Sequence, residues 1–183
     1  MEVFVHKVIS VFGSARPRPG DEAYIQAYIV GQLLAKAGFA VATGGYSGTM
    51  AAVSQGAAEA GGYVIGVTSG VIERFRPMKA NAWVTEEVWY DNLRDRLLHL
   101  VTHNHGMVAL PGGIGTLSEL TLAWSFMQVK EIEPRPLVLV GSLWRNMLDA
   151  FLTPEYVTDS HVQLLTFADT PAEVISTLQK WQI

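Results

Sequence analysis

Pro111-Gly112-Gly113-Ile114-Gly115-Thr116-Leu117-Ser118-Glu119 follows Met107 to Leu110, a run with the apolar signature of a buried strand, and opens a helical pattern. A strand, a glycine turn and a helix in that order make an anion site. Residues without Cβ let backbone N–H groups come close to a ligand, and the free amides at a helix start carry partial positive charge that suits a phosphate. Glu119 adds a carboxylate one turn further on. Gly44-Gly45-Tyr46-Ser47-Gly48-Thr49 repeats the arrangement after the strand-like Phe39-Ala40-Val41-Ala42. Two such junctions can grip one phosphorylated ligand.

Outward from this motif, strand and helix patterns alternate. Val8 to Phe12 reads as a first buried strand that ends at Gly13-Ser14, and Ala15 to Gly20 is a Pro-, Gly- and Arg-rich loop before Asp21, a helix cap. Ala27, Tyr28, Gly31, Leu34 and Ala35 recur at helical spacing, and Gly38 stops that helix. Thr49 to Ala60 is an alanine-rich helix and Tyr63 to Val67 a third apolar strand. Thr68 to Pro77 is less regular and leads through Trp83-Val84-Thr85 into a helix over about Tyr90 to Thr102, with Leu93, Leu97, Leu100 and Val101 as its buried stripe and Arg96 bordering it. Thr116 to Gln128 and Leu143 to Phe151 read as helices, Leu137 to Val140 and Leu164 to Phe167 as strands. Thr170-Pro171-Ala172-Glu173 is a capping box that starts a terminal helix. This alternation predicts an α/β three-layer sandwich, Rossmann-like, around a mostly parallel sheet of about seven strands, with ligands outside the carboxyl ends of the strands.

The 183 residues are expected to form one domain, 1–183. Apolar residues make up 49% of the chain and the mean hydropathy is +0.22, so the surplus points to an oligomer interface. No run approaches the roughly 18 apolar residues of a membrane span, and no basic-then-apolar leader opens the chain, so a cytoplasmic protein without a membrane partner is expected. Seventeen acidic residues against 13 basic argue against a nucleic-acid partner. With no cysteine, disulfides, thiolate metal sites and cysteine nucleophiles are all excluded.

Each candidate residue has a structural reading beside its functional one. Thr116-Leu117-Ser118-Glu119 also fits a capping box, so Glu119 either returns a hydrogen bond to the helix start or does chemistry on a sugar. Gly44, Gly45 and Gly48 serve either a tight turn or a second phosphate or ribose contact. By spacing alone, Arg96 is a solvated arginine paired with Asp95 or Asp91. Arg16, Arg18, Arg74, Arg76 and Lys79 read as loop charges. The Gly44 turn lacks a P-loop lysine, Gly13-Ser14-Ala15-Arg16 lacks the spaced glycines of a dinucleotide fingerprint, and no Gly-x-Ser-x-Gly elbow occurs. His99 and His103 have the spacing of a metal pair, yet the supporting carboxylate is missing, so no metal is expected. The five tryptophans read as core or interface.

Gly13-Ser14, Gly44-Gly45-Tyr46-Ser47-Gly48-Thr49-Met50, Arg96 and Pro111 to Glu119 together resemble the LONELY GUY (LOG) family, often labelled lysine decarboxylase-like. The resemblance runs from about Val8 to Ala150. Every fixed position of Pro-Gly-Gly-x-Gly-Thr-x-x-Glu is matched, and Arg96 stands fifteen residues before Pro111. It implies a Rossmann-like nucleotide-binding fold, a homodimer or higher oligomer with sites near the subunit interface, and hydrolysis of nucleoside 5′-monophosphates, such as AMP or cytokinin ribotides, to free base and ribose 5-phosphate. By position, Gly112, Gly113, Gly115 and Thr116 would bind phosphate, helped by Gly13, Ser14, Gly44, Gly45, Gly48 and Thr49. Glu119 and Arg96 would be the catalytic pair, with no cofactor. Related scaffolds also serve as non-catalytic nucleotide or pterin carriers. The chain departs from the family pattern at Tyr46, where many members have a third glycine, at Leu97, in place of a lysine, and at Ser118, in place of a glutamate.

Overall fold

Strands covered on both faces read as near-continuous apolar runs, as Leu137–Val140 does throughout and Val8–Phe12 does but for Ser10. The computed structural model describes residues 7–181; the N-terminal stretch read for a leader and the last two positions of the expected domain lie outside them. Seven strands, β1 (Val8–Phe12), β2 (Ala40–Thr43), β3 (Val64–Ser69), β4 (Glu86–Tyr90), β5 (Gly106–Ala109), β6 (Leu137–Val140) and β7 (Thr166–Ala168), form one sheet. Its order is β4-β3-β2-β1-β5-β6-β7, and all neighbours are parallel. The helices are α1 (Glu22–Lys36), α2 (Thr49–Glu59), α3 (Gly70–Phe75), α4 (Leu93–Thr102), α5 (Ile114–Gln128), α6 (Ser142–Phe151), α7 (Asp159–Val162) and α8 (Pro171–Lys180).

Alternate residues of each strand feed opposite cores, which produces the three layers. Val108 and Leu110 join Val30, Leu34, Val53 and Leu178 beneath α1, α2 and α8, while Met107 and Ala109 join Leu100, Leu120, Met127 and Trp144 beneath α4, α5 and α6. The α1–α2 contact is unusually close because a Cβ at Gly31 would strike the Val53 carbonyl and one at Gly56 the Tyr28 carbonyl. From β1 the chain winds outward to β4, then returns to lay β5 on the other side of β1. The order therefore reverses between β1 and β5, and a parallel sheet opens a crevice outside the carboxyl ends at such a point. Gly13-Ser14 and Pro111 to Gly115 emerge there.

The structure differs from the expected elements on the β4 side. The segment from Thr68 contains the end of β3 and the whole of α3, and Tyr90 closes β4 instead of opening α4. β4 is an edge strand whose Glu86, Glu87 and Trp89 are exposed, so it carries no buried-strand signal. α4 begins after Asn92, whose side chain accepts from the Asp95 N–H at 2.9 Å. Leu93, expected in the buried stripe, is exposed, whereas Arg96 is buried. Asp21 stands at the N-cap of α1, but its carboxylate accepts from Arg18 N at 2.8 Å rather than from the helix. Half of the α8 capping box forms as expected, with Thr170 accepting from Glu173 N at 3.2 Å; the Glu173 carboxylate accepts from Asp169 N at 2.8 Å, one residue before the cap.

Candidate functional site

A cavity of about 910 Å³ occupies the crevice, with Gly13, Ser14, Pro111 to Thr116, Tyr46, Arg96 and Glu119 among its lining residues. α5 starts one turn earlier than a capping box at Thr116 requires. Gly113 is its N-cap and accepts from Leu117 N at 2.9 Å, so Thr116 lies inside the helix and Glu119 in its second turn. The capping reading of Glu119 therefore fails. Gly113 has no side chain to cap the helix, so no side-chain group competes for the free amides of the first turn.

The glycines of this turn have different reasons. A Cβ at Gly112 would collide with the Thr116 side chain, so packing demands glycine there. Nothing stands within 4 Å of a Cβ added at Gly113 or Gly115, and both are exposed on the cavity. Within a helix, glycine costs about 1 kcal/mol relative to alanine, and packing gives Gly115 no compensation.

The second glycine turn packs against the Gly13-Ser14 loop. Gly44, Gly45, Gly48 and Thr49 are absent from the cavity lining. The Thr49 N–H donates to Ser14 O at 2.8 Å and its hydroxyl to the same oxygen at 3.1 Å, so that amide is already used. Gly45 N–H donates to Thr43 Oγ1 at 3.1 Å. Gly48 has φ of 71°, and a Cβ there would run into the Ser14 carbonyl; Gly48 faces a smaller cavity of about 710 Å³ beside Trp83 and Arg18. Gly44 leaves room for the guanidinium of Arg96.

Arg96 is 6% exposed and Glu119 8%, and their side chains face each other across the cavity floor, Nη1 to Oε1 at 3.8 Å. Arg96 Nε donates to Val67 O at 2.8 Å and Nη2 to Gly44 O at 3.3 Å, so the ends of β3 and β2 hold the guanidinium from behind. The solvated reading of Arg96 is overturned. Asp95 pairs instead with Arg94 at 3.0 Å and Asp91 with Arg74 at 3.5 Å. Burial pushes the Glu119 carboxyl up to about 7, against the pull of Arg96 downward. Burial also lowers Arg96, whose guanidinium stays protonated at any neutral pH. Near neutrality Glu119 can therefore take or give a proton, the property a general acid or base needs.

Sequence reasoning left three groups off the site. Arg16 and Arg76 reach the cavity from loops, where nothing distinguished them from solvated charges. Tyr46 lines it too, its ring 5.8 Å from the Arg96 guanidinium, although the sequence marked it only as a departure from glycine. The histidine pair lies elsewhere: His99 stacks on His103 with ring centroids 4.5 Å apart and bonds the Tyr90 hydroxyl at 2.9 Å. Among the described residues no group of three His, Asp or Glu side chains could hold a metal ion. Nor is any helix there long and apolar enough to cross a membrane. Pyridoxal phosphate, which a decarboxylase would use, needs a lysine for its Schiff base, and no lysine lines this cavity, so the residues present do not fit that cofactor.

A protein of Oryza sativa named as a probable cytokinin riboside 5′-monophosphate phosphoribohydrolase is 28% identical over 144 residues, which span 75% of this chain but 56% of that relative's length. A Mycobacterium tuberculosis protein named cytokinin riboside 5′-monophosphate phosphoribohydrolase is 24% identical over 173 residues, 91% of this chain and 90% of its own. Among solved structures, the molybdenum cofactor binding protein of Rippkaea orientalis shares the fold, with a TM-score of 0.77, 24% identity and coverage of 98% of this chain and 99% of that one. The family model described as "Possible lysine decarboxylase" matches residues 50–178, a range that takes in Arg96 and the whole Pro111 to Glu119 turn. The chain belongs to that family, the LONELY GUY family of Rossmann-like α/β proteins.

Proposed function

We propose that this protein hydrolyses the N-glycosidic bond of nucleoside 5′-monophosphates, releasing free base and ribose 5-phosphate. The observation that carries this reading is the buried Glu119 carboxyl, on the helix whose open start is glycine-lined, facing the buried Arg96 guanidinium of α4 at 3.8 Å, with burial pushing the carboxyl up to about 7. The 5′-phosphate sits on the amides of Gly113 to Thr116, with Gly13 and Ser14 opposite, which sets the anomeric carbon above Glu119. As the C1′–N bond breaks, positive charge develops on the ribose. Glu119 as carboxylate stabilises that charge and takes a proton from the attacking water, whose hydroxyl joins C1′; that proton is then released to the departing base, which leaves neutral and restores the carboxylate. Arg96 orients the substrate and offsets charge on the leaving group. Release of free base from a panel of monophosphates, followed by chromatography, is the direct test; a panel left wholly intact overturns the proposal.

If phosphate approach is the reason for Gly115, Gly115→Ala separates binding from folding. The melting temperature should rise, since about 1 kcal/mol of helix cost is removed, while affinity for ribose 5-phosphate falls. Unchanged affinity in calorimetry would take this position out of the phosphate site.

A second reading is a non-catalytic nucleotide or pterin carrier. Its support is the width of the cavity, about 910 Å³, near the upper end for small-ligand pockets, together with the fold shared with a cofactor-binding protein. Ligand retained through a long incubation without released base would favour carriage.

We also propose a cytoplasmic homodimer. Phe75 and Ile114 stand on the cavity rim at 79% and 80% exposure, an apolar surface that a second protomer would cover. Light scattering should give twice the mass of 20.0 kDa, and a monomer at micromolar concentration would refute it.

A further inference from the structure

Tyr46 does more than fill the space of a missing glycine. It is 3% exposed, yet its ring forms part of the cavity wall and lies 5.8 Å from the guanidinium carbon of Arg96, within the range of a cation–π contact. Its hydroxyl accepts from the Ser69 N–H at 2.7 Å and faces two acceptors, Ser69 O at 3.1 Å and Glu73 Oε1 at 3.3 Å. Ser69 ends β3 and stands just before α3, whose Ile72 and Phe75 wall the same cavity. One side chain thus faces the buried arginine with its ring and bonds the first turn of α3 with its hydroxyl.

Arg96 needs such a support. Val67 O and Gly44 O take its Nε and Nη2, but both lie behind it, and Glu119 at 3.8 Å is too far to fix Nη1 by a hydrogen bond. What those two bonds leave free is rotation of the guanidinium about them, and the Tyr46 ring, its centroid 5.8 Å from the guanidinium carbon, is the aromatic neighbour that limits it.

We propose that Tyr46 is a positioning residue: its ring holds Arg96 in register with Glu119, and its hydroxyl ties that pair to α3, so that the catalytic pair and the ligand wall move as one. The consequences for turnover rest on the reaction proposed above; the positioning of Arg96 does not. Arg96 is the charged group facing Glu119 from α4, and Glu73 faces the phenol from α3. A guanidinium that drifts from Glu119 gives up the downward pull on its carboxyl.

Two variants divide the ring from the hydroxyl. In Tyr46→Leu, kcat for AMP should fall by about tenfold or more, as electrostatic support at the reacting centre is lost. In Tyr46→Phe, which keeps the ring, kcat should stay within about twofold while KM rises several-fold, the mark of a loosened wall. Independently of turnover, the Glu119 carboxyl is titrated by carbon NMR, assigned with Glu119→Gln. Its midpoint should rise in Tyr46→Leu and hold in Tyr46→Phe. An unchanged midpoint in a folded Tyr46→Leu overturns the proposal whatever the activity. A raised midpoint in a protein that releases no base upholds it and sinks the hydrolase reading instead. If Tyr46→Leu does not fold, Tyr46→Phe and its ring-fluorinated counterpart carry the test, because fluorination drains the ring face without changing its shape much. The midpoint should be higher with fluorine, and equal midpoints would overturn the claim.

Discussion

Replacing Glu119 by Gln is expected to cut base release from AMP by about 10²-fold or more, the scale of a lost general acid or base, in a protein that still folds. The amide matches the carboxyl in size and can hydrogen-bond, so the packing around it survives; what disappears is a group that exchanges protons. Because α5 begins at Ile114, no helix cap is lost with the substitution. The effect on stability has a definite sign. Glu119 in the folded protein titrates at about 7, above the 4.5 of an unperturbed carboxyl, so between those values the folded state holds a proton that the unfolded state has released. The wild type accordingly loses stability as pH rises through that window, by roughly 3 kcal/mol at about 1.4 kcal/mol per unit, and Gln removes that slope. Melting curves at pH 5 and pH 8 should show the wild type falling and Glu119→Gln level by comparison. Full turnover in Glu119→Gln, or an unaltered pH slope, would remove the ionised carboxyl from both arguments.

Much of this arrangement is legible in the sequence because it depends on local rules. Buried parallel strands such as Leu137–Val140 are continuous apolar runs, and a glycine turn between Ala109 and α5 requires small residues whatever surrounds it. Glu119 is legible as a carboxylate beside a phosphate-suited turn, whereas Arg96 is marked only by the family resemblance, since the spacing of α4 alone points it toward water. Its burial depends on carbonyls supplied by β2 and β3, which no local pattern records. The same is true of the Gly44 turn. It looks like a phosphate loop because it has the glycines of one, yet Gly48 is needed to let the Ser14 carbonyl pass and Thr49 to bond it. β4 was hidden for the opposite reason, since an edge strand with exposed Glu86 and Glu87 has no burial to display. Long-range packing decides these cases.

Arg96→Ala should lose turnover by about 10²-fold or more, and its pH behaviour distinguishes removal of a charge from simple loss of fold. The guanidinium donates to Val67 O and Gly44 O, and truncation leaves both carbonyls at the cavity floor without that donor. Removing one partner of a buried ion pair costs about 3–5 kcal/mol when the other must stay charged. Glu119 need not stay charged. Without Arg96 pulling it down, its carboxyl titrates above 7 and simply keeps its proton at lower pH. Below pH 7 both proteins hold Glu119 largely neutral, so the stability gap there reflects the lost hydrogen bonds and packing. Above pH 7 the wild-type carboxyl gives up its proton and its slope fades, whereas the variant, whose folded form still holds the proton that the unfolded chain has released, goes on losing stability. The gap between the two melting temperatures should therefore widen from pH 7 to pH 9. In the double variant Arg96→Ala with Glu119→Gln that widening should vanish, because nothing remains to titrate. A constant gap across this range would mean that the two groups do not sense each other, and the proposed catalytic pair would lose its physical basis.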